Sequence, residues 1–523
     1  MAYSLQPQGN YYRRQVLLHL PPGSCFLFHT TNNMSAPLTP PCITHINFFD
    51  SEFTSDDVIV VGSVEEKQFV LVGAVTAKRS LTHLTVVTRG RNPYAIKVEQ
   101  PDIKEGDPPE EVVILEGDDW RQLLKQYADC VAEKMCALSV TPESNLTGYC
   151  TWYYYYEDVT EADFLENLDA CAAHQNTGYS PRVVQIDDGY QTFQGDWNDQ
   201  ASSWPTPLAE IGRRLKASGM TGGIWTMPFT ASTASRVFRE HPDWFVKGED
   251  GEPKVALGWS APPNHLWVTL DTTNPAVQEH LKKIFRTFHE WGFDYFKMDG
   301  LGFALTDGIR YDKNATPVSA FREGLKAIRD AVPGAYLLGC CPPMLPCIGY
   351  VNGARVSNDT KAAWQDIKDA MVVSLSRWWM FDKLFRADPD TLMARQDRAE
   401  NTLQEARVSV ITGILTGVSL TSDNLSTIAP ERFQLLERAA KYRVKDAMPI
   451  AWRINQWPLA FAGTLDGKKA VALINHTDAP LDFTFEQLEL AADRPVEEIL
   501  QPLGILKERV SIASHDAMLL VQA

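Results

Sequence analysis

At 523 residues the chain is too long for one hydrophobic core. Its composition, 44% hydrophobic and 22% charged, is that of an ordinary folded protein of two or three domains. A formal net charge of −17 argues against nucleic acid or an anionic membrane surface as partner, and no apolar run of about 18 residues offers a membrane span.

Residues 1–16 carry Arg13 and Arg14 but no apolar core, so no secretory signal is expected. The nine cysteines are odd in number and no pair has zinc-ligand spacing, which suits reduced thiols in a cytoplasmic protein. Up to about residue 115 the pattern is β: Val16–Leu20, Val58–Val61, Phe69–Val72 and Leu84–Val87 are apolar runs separated by Gly, Pro, Asn and charged turns. This predicts an antiparallel β-sandwich over 1–115. Leu123, Leu124, Tyr127 and Val131 then recur at helical spacing, predicting a helix from Trp120 to Met135 within a linker, 116–145.

From Tyr149 strand and helix alternate. Eight candidate strands follow: Gly148–Tyr153, Arg182–Asp187, Gly222–Met227, Asp294–Asp299, Ala335–Gly339, Ala354–Asn358, Leu384–Asp388 and Val418–Ser422, each with helical sequence after it. Thr206-Pro207, Asn274-Pro275 and Thr316-Pro317 each place a capping side chain before a proline at the first helical position. The fold class is therefore α/β, with a catalytic (β/α)8 TIM barrel over 146–447. An open doubly wound sheet is the alternative, but there is no glycine fingerprint for a dinucleotide. Residues 229–270, with His241-Pro242-Asp243-Trp244, Trp259 and Pro262-Pro263, are too long for a plain helix and connection and read as an elaborated loop. Strands return after Met448 (Leu459–Gly463, Ala470–Ile474, Leu481–Phe485, Met518–Val521), predicting a small C-terminal antiparallel β domain, 448–523.

The strand ends carry the chemistry, because the open face of such a barrel is built by the loops that follow the strands. The second strand ends in Asp187-Asp188-Gly189 and the third carries Trp225. The fourth carries Lys297 and Asp299, the fifth leads to Cys340, the sixth gives Arg355 and leads to Asp359, and the seventh ends at Asp388. Any one could be a helix cap; six of eight together predict a pocket. Adjacent Asp187 and Asp188 can accept hydrogen bonds from a polyol, and tryptophan suits the apolar face of a sugar. Two separated carboxylates, Asp299 and Asp359, are what glycoside hydrolysis uses. Lys297, two residues from Asp299 on the same strand face, is expected to hold Asp299 ionised. Asp359, four residues after Arg355, would act as an acid only if burial or the Asp299 charge raised its pKa. The tyrosine run 153–156 reads as strand-end and rim packing.

Taken together, Gly148-Tyr149-Cys150-Thr151-Trp152-Tyr153, Gln185-Ile186-Asp187-Asp188-Gly189-Tyr190-Gln191, Tyr295-Phe296-Lys297-Met298-Asp299 and Arg355-Val356-Ser357-Asn358-Asp359 resemble glycoside hydrolase family 36, the melibiase-like α-galactosidases. The resemblance runs from about 148 to 440, with Asp388-Pro389-Asp390 among further landmarks in family order. It implies a retaining double displacement on an oligosaccharide with a terminal α-galactosyl group. Asp299 would be the nucleophile and Asp359 the acid and base, their carboxyl groups about 5–5.5 Å apart. Asp187 and Asp188 would hold the 4- and 6-hydroxyls, Lys297 the 3- and 4-hydroxyls and Arg355 the 2-hydroxyl. Trp225 and Trp152 would line the ring, and Cys340 would be a further substrate-binding residue. No cofactor and no metal are implied, and the family allows a homo-oligomer built through the N-terminal domain. Three positions depart from the pattern: Gly300 stands where an aromatic residue is common and would widen the pocket, Cys341-Pro342-Pro343 replaces a more glycine-rich stretch, and Asn358 precedes the acid. They leave an α-N-acetylgalactosaminidase and a raffinose-synthase-like galactosyltransferase as rivals within the class, and a sugar-binding protein on an inactive barrel outside it.

Overall fold

The computed structural model describes residues 4–5, 12–21, 26–30, 42–45, 53–89, 92–140, 145–261, 265–452, 457–501 and 503–523. Its centre is an eight-stranded, wholly parallel sheet. In chain order the strands are Leu146–Cys150, Val183–Ile186, Thr221–Thr226, Phe293–Met298, Tyr336–Gly339, Gly353–Arg355, Arg386–Asp388 and Val418–Thr421. The first seven pair in order of sequence, and the eighth pairs with the first. The seventh and eighth are joined through Leu392, which bridges in parallel to Thr421, so the sheet curls into a nearly closed barrel.

The alternation along the fourth strand shows why it serves both faces. Tyr295 packs inside with Val183, Leu338, Val418 and Leu420, a plug across the barrel interior. Phe296 points outward to the Phe285 ring, at 5.1 Å, on the helix Pro275–Trp291. Lys297 is next on the inner face, above the plug, and Asp299 follows where the strand has ended.

Two of the three proline-marked helix starts are built as expected. Asn274 caps Pro275–Trp291, and Thr316 closes a capping box at the head of Pro317–Ala331. Thr206 does not cap. The helix Leu208–Ala217 begins after Pro207 with no side-chain cap, and Thr206 donates its hydroxyl to Glu161 at 2.6 Å. Two further expectations differ. The first strand stops at Cys150 and Trp152–Tyr155 form a single helical turn, because Thr151 already has helical backbone angles. The fifth strand is followed only by the four-residue helix Met344–Cys347, with Pro342, Pro343 and Pro346 in the way of anything longer.

Before the barrel, two five-stranded antiparallel sheets form a sandwich. Ile59, Val61, Val70 and Val72 of one sheet meet Val16, Leu84, Val86, Ile96 and Val98 of the other. The strand Val58–Ser63 is buried at every position, because its other face is covered by the helix Trp120–Lys134, through Trp120, Leu124 and Tyr127. After the barrel come a six-stranded sheet and a two-stranded one, with a core of their own. The helix Leu403–Thr416 lies between barrel and C-terminal sheet and is buried nearly all round from Val408 on, where its sequence is mostly apolar. The long segment after the third strand is a separate three-stranded antiparallel sheet, Thr230–Ser232, His265–Thr269 and Val255–Ala261. Pro262 and Pro263 of that loop, Cys25, and most of residues 1–16 lie outside the described residues.

One contact between helices is close enough to test. A Cβ on Gly212 would stand 2.0 Å from the Trp291 carbonyl oxygen, where Leu208–Ala217 meets the end of Pro275–Trp291. Gly212→Ala should therefore cost about 1–3 kcal/mol by overpacking and lower the thermal midpoint in calorimetry; an unchanged midpoint would show that the helices can part freely.

Candidate active site

The polar residues that end the barrel strands meet at one rim. Lys297, 6% exposed, donates to Asp187, 2% exposed, at 2.8 Å. Burial works against the Lys297 charge, but Asp187, with Cys150, Cys340 and Asp299 adding to it, holds the ammonium well above its ordinary range. Asp187 also accepts from Gln185 Nε2 at 2.5 Å and from the Cys150 thiol at 3.4 Å, while its own N–H donates to Thr151 Oγ1 at 2.9 Å. Asp188 is different. Burial and the adjacent Asp187 push its carboxyl up to about 7, against hydrogen bonds from Gln191 and the Gly189 backbone.

Asp299 accepts from Trp225 Nε1 at 3.1 Å and from the Gly300 N–H at 2.6 Å. Lys297 thus makes its ion pair with Asp187 and not with Asp299: the pair closes inside the barrel, and Asp299 sits one step beyond it. Trp225 is held from behind by Trp197, edge to face at 5.7 Å, and Tyr190 donates its hydroxyl to the Trp225 carbonyl at 3.0 Å. Gly300 adopts the left-handed conformation, and Met227 and Phe303 occupy the space a Cβ would enter. A side chain at this position would thus meet Met227 and Phe303 at its first atom.

On the far side Arg355, 1% exposed, spans two carboxylates. Its Nη2 lies 3.1 Å from Asp359 and 3.1 Å from Asp390, and its Nη1 is 3.7 Å from the Cys340 sulfur. The Asp359 side chain is 55% exposed at the mouth. Its packed surroundings work against the charge, but Arg355, then Lys297 and Tyr153, hold the carboxyl below its usual range. The acid role requires a raised pKa, and the structure shows the reverse, because the Arg355 guanidinium lies 3.1 Å away and favours the charged form. Asp390, fully buried, is pushed up to about 6 by burial and by Asp359, against the pull of Arg355. Asp388 is likewise raised by burial, and it accepts from the Asp390 N–H at 2.7 Å.

The nine residues singled out in the sequence fall around this rim, and a chain of contacts joins the two principal carboxylates. Asp299 lies within 4.8 Å of the Cys340 sulfur, Cys340 touches Arg355, and Arg355 holds Asp359. The fourth and sixth strands that carry them are separated by one strand, so they are near neighbours and not opposite walls. Trp152, half-buried, meets Tyr156 edge to face at 5.3 Å. Three residues named in the sequence without a catalytic or binding role also take part. Tyr153 donates its hydroxyl to Asp390, Asp390 shares Arg355, and Cys341 joins Asp299 and Cys340. The signals were faint: Tyr153 directly follows Trp152, and Asp390 lies two residues beyond a strand end.

The structure also makes a pH prediction. The raised carboxyl of Asp188 means that the fold retains a proton that the unfolded chain, near 3.8, gives up. Stability from this group is present below about pH 4 and is lost as pH rises towards 7. Asp188→Asn should remove that loss, so the thermal midpoint of the variant should gain on wild type steadily from pH 4 to 7. Parallel curves would mean that Asp188 carries no such proton.

With the geometry in place, comparison with known proteins is informative. Residues 176–310 match the Melibiase family model. An A type blood α-D-galactosamine galactosaminidase of Flavonifractor plautii is 28% identical over 140 residues, 26% of this chain and 12% of that protein. An α-galactosidase of Escherichia coli is 28% identical over 153 residues, 28% of this chain and 19% of its own length. The matches thus span less than a fifth of the curated relatives. In fold, the chain is similar to TtGalA, an α-galactosidase of Thermus thermophilus solved in complex with stachyose. The TM-score is 0.67 at 22% identity, over 85% of this chain and 97% of that one.

Proposed function

We propose that this melibiase-like chain is a retaining exo-glycosidase that releases terminal α-linked galactose from oligosaccharides. The observation that carries this reading is the contrast between its two rim carboxylates. Asp299 is hydrogen-bonded by two neutral N–H donors, Trp225 and Gly300, and by no cation. Asp359 is bound to a guanidinium yet open to the mouth. The first is placed to attack an anomeric carbon. The second is placed to exchange protons with whatever enters and leaves.

Asp299 adds to the anomeric carbon as the glycosidic bond breaks, and Asp359 gives its proton to the departing oxygen. A water then gives its proton back to Asp359 and attacks the same carbon, which breaks the bond to Asp299, frees its carboxylate and returns the anomer to the α configuration. For the first step Asp359 needs a proton that Arg355 discourages. The sugar supplies the remedy: its 2-hydroxyl competes for Arg355 while its body covers the exposed carboxylate, and both changes raise the pKa of an acid. Asp187 and Asp188 hold the 4- and 6-hydroxyls. Lys297, fixed by Asp187, reaches the 3- and 4-hydroxyls. Trp225 and Trp152 line the ring.

The galactosaminidase relative keeps a second substrate in view, an N-acetylated galactoside whose 2-substituent would lie near Cys340 and Cys341. The seven free thiols among the described residues support a reducing, cytoplasmic setting, and no helix among those residues is long and apolar enough to cross a membrane.

Kinetics on paired leaving groups test the assignment. Asp299→Asn should abolish turnover of aryl α-galactosides by several powers of ten whatever the leaving group. Asp359→Ala should cost roughly 10²–10⁴-fold on a poor leaving group and far less on an activated phenol, which leaves without a proton. Equal losses on both would remove Asp359 from the acid role. Preference for an aryl N-acetylgalactosaminide would keep the mechanism and change the substrate.

A further inference from the structure

We propose that Asp299, Cys340 and Cys341 form a binding site for a thiophilic divalent cation of the zinc class, and that the cation closes the pocket by taking the Asp299 carboxylate. The first half of this statement stands on geometry alone; the second rests on the function proposed above.

Each of the three residues offers one ligand atom, and these atoms lie within 4.8 Å of one another. Ligand atoms around a tetrahedral zinc lie roughly 3.3–3.8 Å apart, given bonds of about 2.0–2.3 Å. Side-chain rotations of about an ångström would therefore complete the contact. The backbone is already fixed for it. Cys340 N–H donates to the Met298 carbonyl at 2.7 Å, Leu301 N–H to the Cys340 carbonyl at 3.3 Å, and Gly302 N–H to the Cys341 carbonyl at 2.9 Å. These bonds tie the turn after the fourth strand to the turn after the fifth, on either side of the three ligands.

Consecutive residues of an extended chain point to opposite faces. Cys341 has a positive φ of 49°, outside the extended region, and its thiol comes round to the same side as that of Cys340. Two cationic side chains stand nearby, each with its own carboxylate: Lys297 has Asp187, and Arg355, whose Nη1 lies 3.7 Å from the Cys340 sulfur, has Asp359 and Asp390. Cys340 is buried, whereas Asp299 and Cys341 are half-buried, so a cation can enter from the mouth. Binding would release two thiol protons to solvent and leave the fourth coordination position to water. Two sulfur ligands select zinc or cadmium over magnesium or calcium.

The probe is Cd2+, read by its sulfur-to-metal absorbance in the near ultraviolet on the reduced full chain. Wild type should bind one more Cd2+ tightly than Cys341→Ser. Affinity at that site should fall by more than the 10–100-fold that loss of an outer-shell partner costs. Cys136→Ser, which alters an exposed thiol elsewhere, should bind as wild type does, and galactose should weaken Cd2+ binding to wild type. Equal stoichiometry and affinity in wild type and Cys341→Ser would overturn the site. A Cd2+ affinity indifferent to galactose would overturn the closure. Because the absorbance needs no turnover, an inactive enzyme would count against the proposed function and not against the metal site.

Discussion

The site depends on the cost of burying charge. Lys297 and Asp187 are almost wholly removed from water, and either alone would be strongly unfavourable there; paired at 2.8 Å and ringed with donors, they are tolerable. The pair links the end of the second strand to the inner face of the fourth, over a third strand that must stay thin between them. Gly223 of that strand lies against the Gln185 side chain, and Gln185 in turn donates to Asp187. Asp187 is committed to Lys297, burial raises the neighbouring Asp188, and Asp299 accepts from the neutral N–H groups of Trp225 and Gly300, so three carboxylates that look alike in sequence are set apart.

Arg355 plays the corresponding part on the other side. A guanidinium with almost no exposure must be neutralised, and two aspartates from different loops share it. Asp390 does so from within, supported by Tyr153 and by the Thr360 N–H at 2.8 Å. Asp359 does so from the mouth. The two sides come together at Cys340, which touches Arg355 and lies beside Asp299. In a barrel of short strands this is possible because the fourth and sixth strands are separated by one strand only, with Cys340 following the strand between them.

Much of this was legible in the chain. Eight strands could be read from short apolar runs, and the polar residues that end them mark the open face of a barrel. The sandwich and C-terminal sheets were legible for the same reason: β-branched runs between turn residues have few other outcomes. What could not be read is pairing. Spacing set Lys297 beside Asp299, but which of several carboxylates a buried lysine chooses depends on how the barrel brings distant strands together. Likewise, Thr206 has every mark of a helix cap, yet the helix begins only after Pro207, and the Leu208 N–H donates to the Gln200 side chain at 3.0 Å. Tyr153 seemed fit for packing; its hydroxyl found Asp390 because the chain turns helical directly after Cys150. Local rules fix elements well and leave tertiary partners open.

The stereochemistry of the product tests the central claim most directly. If Asp299 forms a glycosyl-enzyme, proton NMR of a fresh reaction between wild type and an aryl α-galactoside should show α-galactose first, with the β anomer growing in only by mutarotation. The appearance of β-galactose first would mean a single displacement by water. That result would contradict the assignment of Asp299 as the nucleophile.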